Sequence, residues 1–218
     1  MKLARIKLIV FDLDGTLVNS VHDIARAINE VLKIRGFNEH PIQNYENFIG
    51  CGLRRTLELA APKRLSYKEI DKMFNAVIAS YNENLVGKVY PGISDLLVLI
   101  GSMRIPAIVY SNKLESLARN TVDFCFPKGT FREVIGLRDD SAPKPNPKAL
   151  NRYLKDRDIP SSAVLLVGDS RVDVETALRG GFIFAGALWG YGSGLNEAGS
   201  KQNFLSPWEL MNWLISDE

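Results

Sequence analysis

The sequence predicts an α/β protein built on a parallel sheet, with a helical insert after its first strand. Three observations carry this. Short, continuous apolar runs recur at Leu8-Ile9-Val10-Phe11, Ala107-Ile108-Val109-Tyr110 and Val164-Leu165-Leu166-Val167. Such runs suit strands buried on both faces, as in a parallel sheet. Helical patterns lie between the strands, which is the signature of βαβ units. Each run also ends in polar residues: Asp12-Leu13-Asp14-Gly15, Ser111-Asn112-Lys113 and Gly168-Asp169-Ser170. Ligands of open α/β sheets bind beyond the carboxyl ends of the strands, where all three clusters fall.

Taken in order, Leu8 to Phe11 is the first strand. From about Val18 to Lys88 the pattern is helical, with no clear strand. Ser20 can cap a helix whose Ile24, Ala27, Ile28, Val31 and Leu32 face one way, and Gly36 closes it. Ser66-Tyr67-Lys68-Glu69 reads as a capping box opening a second helix, with a stripe from Ile70 to Leu85. Ile49-Gly50-Cys51-Gly52-Leu53-Arg54-Arg55 lies between them, and Tyr90-Pro91-Gly92 marks the return. The division expected is therefore a core of residues 1–17 and 89–218 around an insert of 18–88. In the core, Ile93, Leu96, Leu97 and Ile100 share a helical face, and a helix carrying Val172, Ala177 and Leu178 ends at Gly180-Gly181. Phe182 to Leu188 is a further strand candidate, and Glu133-Val134-Ile135 a short one. Ser206-Pro207-Trp208-Glu209 opens a last helix, with proline at its first position.

Length and composition set outer limits. A chain of 218 residues with 46% hydrophobic and 24% charged residues can bury a sizeable core. Its 27 basic and 25 acidic residues balance too closely to point to nucleic acid or an anionic membrane as partner. Two cysteines far apart, Cys51 and Cys125, do not make a disulfide framework or a zinc site. Lys2, Arg5 and Lys7 precede an apolar run, but Asp12 and Asp14 interrupt it too early for a signal peptide. A cytoplasmic protein is expected, as monomer or homodimer.

Asp12 and Asp14 stand two apart at a strand end, where Gly15 lets the chain turn. Carboxylates this close repel unless a cation is present or one holds a proton. In phosphoryl transfer that conflict is useful: one attacks as nucleophile while the other manages the proton. D-x-D-G also opens calcium loops, but Leu17 stands where an EF-hand needs glycine and Asp23 where it needs glutamate. Asp169 and Asp173, four apart at another strand end, offer oxygens suited to magnesium, which keeps waters and binds substrate phosphate. Either is also a plausible helix N-cap. Ser111 and Asn112 are candidates for phosphate oxygens, and equally ordinary loop residues. Lys144, in Ala142-Pro143-Lys144-Pro145-Asn146-Pro147, is held by prolines and so better placed against phosphate than a mobile lysine, although without the other motifs a merely solvated lysine is the favoured reading. Gly190-Tyr191-Gly192-Ser193-Gly194 lacks nucleotide-loop spacing and reads as a turn. His22 and His40 have no metal-ligand companion.

Asp12-Leu13-Asp14-Gly15-Thr16-Leu17, then Ser111, Lys144 and Gly168-Asp169 through Asp173, resemble in order and spacing the four motifs of the haloacid dehalogenase superfamily of phosphatases. The resemblance covers essentially the whole chain. It implies a Rossmann-like core with a mobile helical cap, Asp12 as nucleophile and Asp14 as general acid/base. It further implies magnesium held by the Asp12 and Asp169 side chains and the Asp14 main-chain carbonyl, with Asp173 orienting neighbouring groups. Ser111 and Lys144 would hold the phosphoryl group, and Thr16 would support the phosphate loop. Dehalogenating members lack the second aspartate, so a phosphoester is the implied substrate. Within the superfamily, the segment Asp23 to Asn29 and the loop Ile49 to Leu53 look similar to phosphoglycolate phosphatases, although Asn19 departs from their usual aspartate. Arg54 and Arg55, following that loop, are candidates to meet a substrate carboxylate. The expected function is magnesium-dependent hydrolysis of a small phosphorylated metabolite through an aspartyl-phosphate. A phosphomutase and a non-catalytic binding protein are the alternatives.

Overall fold

The computed structural model describes residues 5–46, 48–50, 52–191 and 194–216. Cys51, Gly192, Ser193 and Lys2, named above, lie outside them. Six parallel strands form the sheet in the order β5-β4-β1-β6-β7-β8: β1 (Leu8–Phe11), β4 (Ala107–Leu114), β5 (Val134–Leu137), β6 (Val164–Gly168), β7 (Ile183–Ala187) and β8 (Asn203–Phe204). β1 is central and wholly buried, as its unbroken apolar run requires. Side-chain alternation divides it between two layers. Ile9 and Phe11 pack with α5 (Ile93–Ser102), α6 (Glu115–Cys125) and α9 (Pro207–Ile215). Leu8 and Val10 pack with α7 (Lys148–Lys155) and α8 (Arg171–Gly180) on the opposite face. The result is the expected Rossmann-like core.

The chain leaves β1 toward β4 and β5, then returns to pair β6 along the other side of β1. That reversal opens a crevice at the carboxyl end of β1, the position where such sheets bind ligands. β4 runs further than its apolar run, through Ser111-Asn112-Lys113 to Leu114, with a register shift against β5 between Tyr110 and Leu114. The polar triplet is therefore strand rather than loop.

Helices α1 (Val21–Ile34), α2 (Ile42–Glu46), α3 (Leu53–Ala60) and α4 (Tyr67–Glu83) form the cap. They bury a second hydrophobic cluster, with Tyr45, Leu57, Met73 and Tyr81 inside and Leu117 of α6 reaching in from the core. α4 opens on the expected capping box: Ser66 accepts from the Glu69 N–H, and the Glu69 carboxylate accepts from the Ser66 N–H. Ser20 takes the N-cap position of α1, but its hydroxyl makes no cap bond. The two crossings between cap and core are short strands that sequence periodicity did not reveal: β2 (Val18–Asn19) and β3 (Lys88–Val89) pair antiparallel. Asp23 pins the return crossing by accepting from the Val86 and Gly87 N–H groups. No helix among the described residues is long and apolar enough to cross a membrane.

Candidate active site

β1 delivers Asp12 and Asp14, β4 delivers Ser111 to Lys113, and the end of β6 delivers Asp169, all to one end of the sheet. Parallel register aligns them: Phe11 pairs with Val109 on one side and Val167 on the other. Gly15 turns the chain with φ +89, and a Cβ there would run into the Asp169 carboxylate. Only glycine permits so close an approach.

Asp12, Asp169 and Asp173 bring carboxylate oxygens within 4.8 Å of one another, all three residues buried. Lys144 is buried among them, its Nζ 2.6 Å from Asp173 Oδ1 and 2.8 Å from Asp12 Oδ1. The contact to Asp173 is a hydrogen bond. Toward Asp12 the direction is wrong for one, so Asp12 Oδ1 stays buried without a hydrogen-bond partner. Burial raises the Asp12 carboxyl to about 6; Lys144 opposes the rise and Asp173 adds to it. Burial likewise raises Asp169 well above the ordinary value, reinforced by Asp12 and Asp173. Burial alone would lower Lys144, but Asp12 and Asp173 reverse this and hold it protonated.

When all are ionised, three carboxylates against one ammonium leave two uncompensated negative charges. Buried, that excess is strongly unfavourable without a cation. Oxygen-only donors, an orphaned carboxylate oxygen and this charge deficit fit magnesium. The three aspartates thus form a divalent-metal site. Asp173 stands closer to it than the resemblance implied, yet it also secures the start of α8, where its Oδ2 accepts from the Ser170 N–H and hydroxyl. The capping reading and the site reading of Asp173 both describe it.

Two predicted phosphate contacts point elsewhere. The Thr16 hydroxyl donates to Asp169 Oδ1, and the Tyr191 N–H to Oδ2, so Thr16 steadies Asp169 from a fully buried position. Asn112 clamps the proline-flanked loop: its Oδ1 accepts from the Lys144 N–H, and its Nδ2 donates to the Lys144 and Gly50 carbonyls. Both act on a site residue, and Asn112 borders the cavity as well. Ser111 does line the cavity beside Asp12 and Asp14.

Arg54 and Arg55, the candidates to meet a substrate carboxylate, lie away from the cavity in this structure. Arg54 pairs with Asp71 at 2.7 Å and lies over the Phe74 ring; Arg55 pairs with Glu58 at 3.1 Å. Both are exposed on the cap, and neither borders the cavity. The buried face of α3 carries Leu53, Thr56, Leu57 and Ala60, which turns the arginines outward.

Lys113 had no role assigned from sequence. It is buried, donates to both Asp14 oxygens at 2.8 and 3.1 Å, and lies 4.4 Å from the centre of the Tyr81 ring on α4. Its signal was its place in the polar triplet. A larger hollow of about 530 Å³ lies between β5 and α7, bordered by Arg138, Lys148 and Tyr153, and holds none of the predicted site residues.

A parallel sheet whose carboxyl edge gathers acidic oxygens and a buried lysine beneath a helical cap defines a metal-dependent hydrolase that transfers phosphoryl groups. Comparison with known proteins places it more narrowly. The family model of haloacid dehalogenase-like hydrolases matches residues 9–187. The phosphoglycolate phosphatase of Aquifex aeolicus is 35% identical, over 85% of this chain and 86% of its own. That of Pseudomonas syringae pv. tomato is 32% identical, over 86% and 71%. The crystal structure of a predicted phosphoglycolate phosphatase from Haemophilus somnus superposes with a TM-score of 0.88 at 25% identity, covering 96% of this chain and 98% of that one. The chain belongs to the haloacid dehalogenase-like hydrolases. It is a magnesium-dependent phosphatase of small phosphomonoesters that works through an aspartate nucleophile.

Proposed function

We propose that Asp12 is that nucleophile and that the substrate is a short phosphorylated carboxylic acid of the phosphoglycolate kind. The observation carrying the first part is Lys144 Nζ 2.8 Å from an Asp12 oxygen that no hydrogen bond occupies, on the cavity that Asp14 also lines. The second part is supported by the similarity of the chain to phosphoglycolate phosphatases.

An Asp12 oxygen attacks phosphorus, and the bond from phosphorus to the ester oxygen breaks as Asp14 gives that oxygen a proton. Water then attacks phosphorus, loses a proton to Asp14, and the bond from phosphorus to Asp12 breaks. Lys144 and Ser111 hold the phosphoryl oxygens, Lys144 balancing charge from a fixed, desolvated position. Asp169, steadied by Thr16, would hold magnesium with Asp12 and the Asp14 main-chain carbonyl, with Asp173 completing the acidic cluster around it. Bound there, the ion would supply charge neutralisation at the phosphoryl oxygens.

Residues 18–88 form the cap in this reading, with 1–17 and 89–218 as the core. The cavity between them measures about 20 Å³, space on the scale of one water. A phosphoester therefore enters only when the cap shifts, and its return excludes water during the first transfer. A dissolved metabolite as substrate fits action in the cytoplasm, as monomer or homodimer.

The test is phosphate release from a panel of metabolite phosphates, with and without magnesium. Fastest magnesium-dependent turnover of phosphorylated short acids is expected. An isomerised sugar phosphate in place of free phosphate would reassign the protein as a mutase.

A further inference from the structure

Lys113 is a fully desolvated cation for which the chemistry above has no use. Among the described residues that border the cavity it is the one basic side chain. Opposite it the cap presents Ile24, Ile49, Leu53 and Thr56, none of them charged. A second negative charge on a substrate, beyond the phosphoryl group, therefore meets one cation there. Arg54 and Arg55 are exposed on the cap and do not border the cavity.

The covalent geometry of the substrate sharpens this. Asp14 must touch the ester oxygen to protonate it. In a 2-phosphorylated acid, the carboxylate carbon is two bonds from that oxygen. A cation that grips both oxygens of Asp14 is thus placed beside the substrate carboxylate. Tyr81, whose ring lies 4.4 Å from the ammonium, limits where the lysine can swing, so that its charge stays at the cavity wall.

We propose that Lys113 is a specificity-determining residue, which binds the carboxylate of the substrate while remaining in contact with Asp14. This rests on the substrate class proposed above. The rival role is local: Lys113 merely offsets the charge of Asp14, and the substrate never touches it.

The experiment compares kcat/KM for 2-phosphoglycolate and for 2-hydroxyethyl phosphate, which has an uncharged alcohol in place of the carboxylate. Wild type is expected to prefer the acid by on the order of 10²-fold. Lys113→Met is expected to slow both substrates and to bring the ratio near one, while Lys113→Arg keeps part of the preference. A ratio unchanged in Lys113→Met, with both rates reduced alike, overturns the proposal and leaves the substrate class standing. Wild type with no preference removes the substrate class and this proposal together. If Lys113→Met does not fold, the structure of Asp12→Asn with 2-phosphoglycolate and magnesium decides. A substrate carboxylate in hydrogen-bond contact with Lys113 Nζ supports the assignment, and one held elsewhere refutes it.

Discussion

Ion pairs of two kinds divide this molecule. On the cap, Arg54 with Asp71 and Arg55 with Glu58 lie in solvent. At the carboxyl edge of the sheet, Lys144 with Asp12 and Asp173, and Lys113 with Asp14, are almost or fully removed from it. Arginines make the exposed pairs and lysines the buried ones, yet the distances overlap, between 2.6 and 3.1 Å. Water makes the difference. An exposed pair gains little, because solvent screens the charges and side-chain entropy is lost. A buried pair has shed its hydration, so each charge depends on its partner and acts strongly on whatever enters the site. Short contacts alone do not mark function here; short contacts among desolvated charges do.

The sharpest break of that contrast comes at Asp12. Replacing it with asparagine keeps shape and hydrogen-bonding capacity but removes the attacking oxygen anion. Steady-state phosphate release is expected to fall by roughly 10⁴-fold or more, with the far-ultraviolet circular dichroism spectrum unchanged. Near-normal turnover would remove Asp12 as nucleophile.

Lys144→Ala comes next. It deletes the cation between two buried carboxylates, and two effects should appear together. Turnover is expected to drop about 10²–10³-fold, as for loss of one preorganised donor. Stability in urea is expected to fall by about 3–5 kcal/mol, because Asp12 and Asp173 are left uncompensated. A loss of activity with no loss of stability would mean that the buried cluster is not held together by this lysine.

Removing magnesium should expose the same charge excess. Burial raises Asp12 to about 6 and Asp169 in the same direction when no ion is present. A carboxyl whose folded-state pKa is raised contributes stability at low pH, where both states hold the proton. That contribution is lost as pH rises through the folded value. Metal-free protein is therefore penalised at pH 7.5 and much less so at pH 5. Magnesium at 100 times its Kd adds about 2.7 kcal/mol, a rise in Tm of about 5–10 °C for a chain of this size. The difference in Tm with and without magnesium, measured at both pH values, is expected to be larger at 7.5. Equal differences would place the ion away from these carboxylates.

What the sequence made legible follows from how local each signal is. The strand runs and the aspartates directly after them were readable, because β1 and β6 are buried on both faces and break at their ligand-binding ends. Lys144 is legible only together with the other motifs, since flanking prolines alone do not set it apart from a solvated lysine. The hydroxyl of Thr16 and the amide of Asn112 were placed near the site but assigned to phosphate. Their actual partners, Asp169 and the Lys144 backbone, lie 153 and 32 residues away along the chain. Such pairings depend on strand order, which periodicity does not encode. The link from Lys113 to Asp14 spans 99 residues for the same reason. The two crossing strands are only two residues long each, too short for an alternation to register.

Arg54 and Arg55 lie outside the cavity for a reason that the sequence carries. Leu53, Leu57 and Ala60 recur at helical spacing and are buried, so the residues directly after Leu53 must face outward. Proximity in sequence to a glycine-rich loop does not decide which way a helix residue faces. Arg54→Ala and Arg55→Ala should accordingly change stability by less than about 1 kcal/mol each. They should also leave the ratio of 2-phosphoglycolate to 2-hydroxyethyl phosphate turnover unaltered. Each arginine holds a carboxylate on its own cap surface, and losing that pair changes nothing the cavity presents to a substrate. A selective loss of the acid in either variant would show that cap closure carries these arginines inward, and exposure in this structure would then stop separating the two kinds of ion pair. Measured beside Lys113→Met, the same ratio tells a buried reader of charge from a solvated bystander.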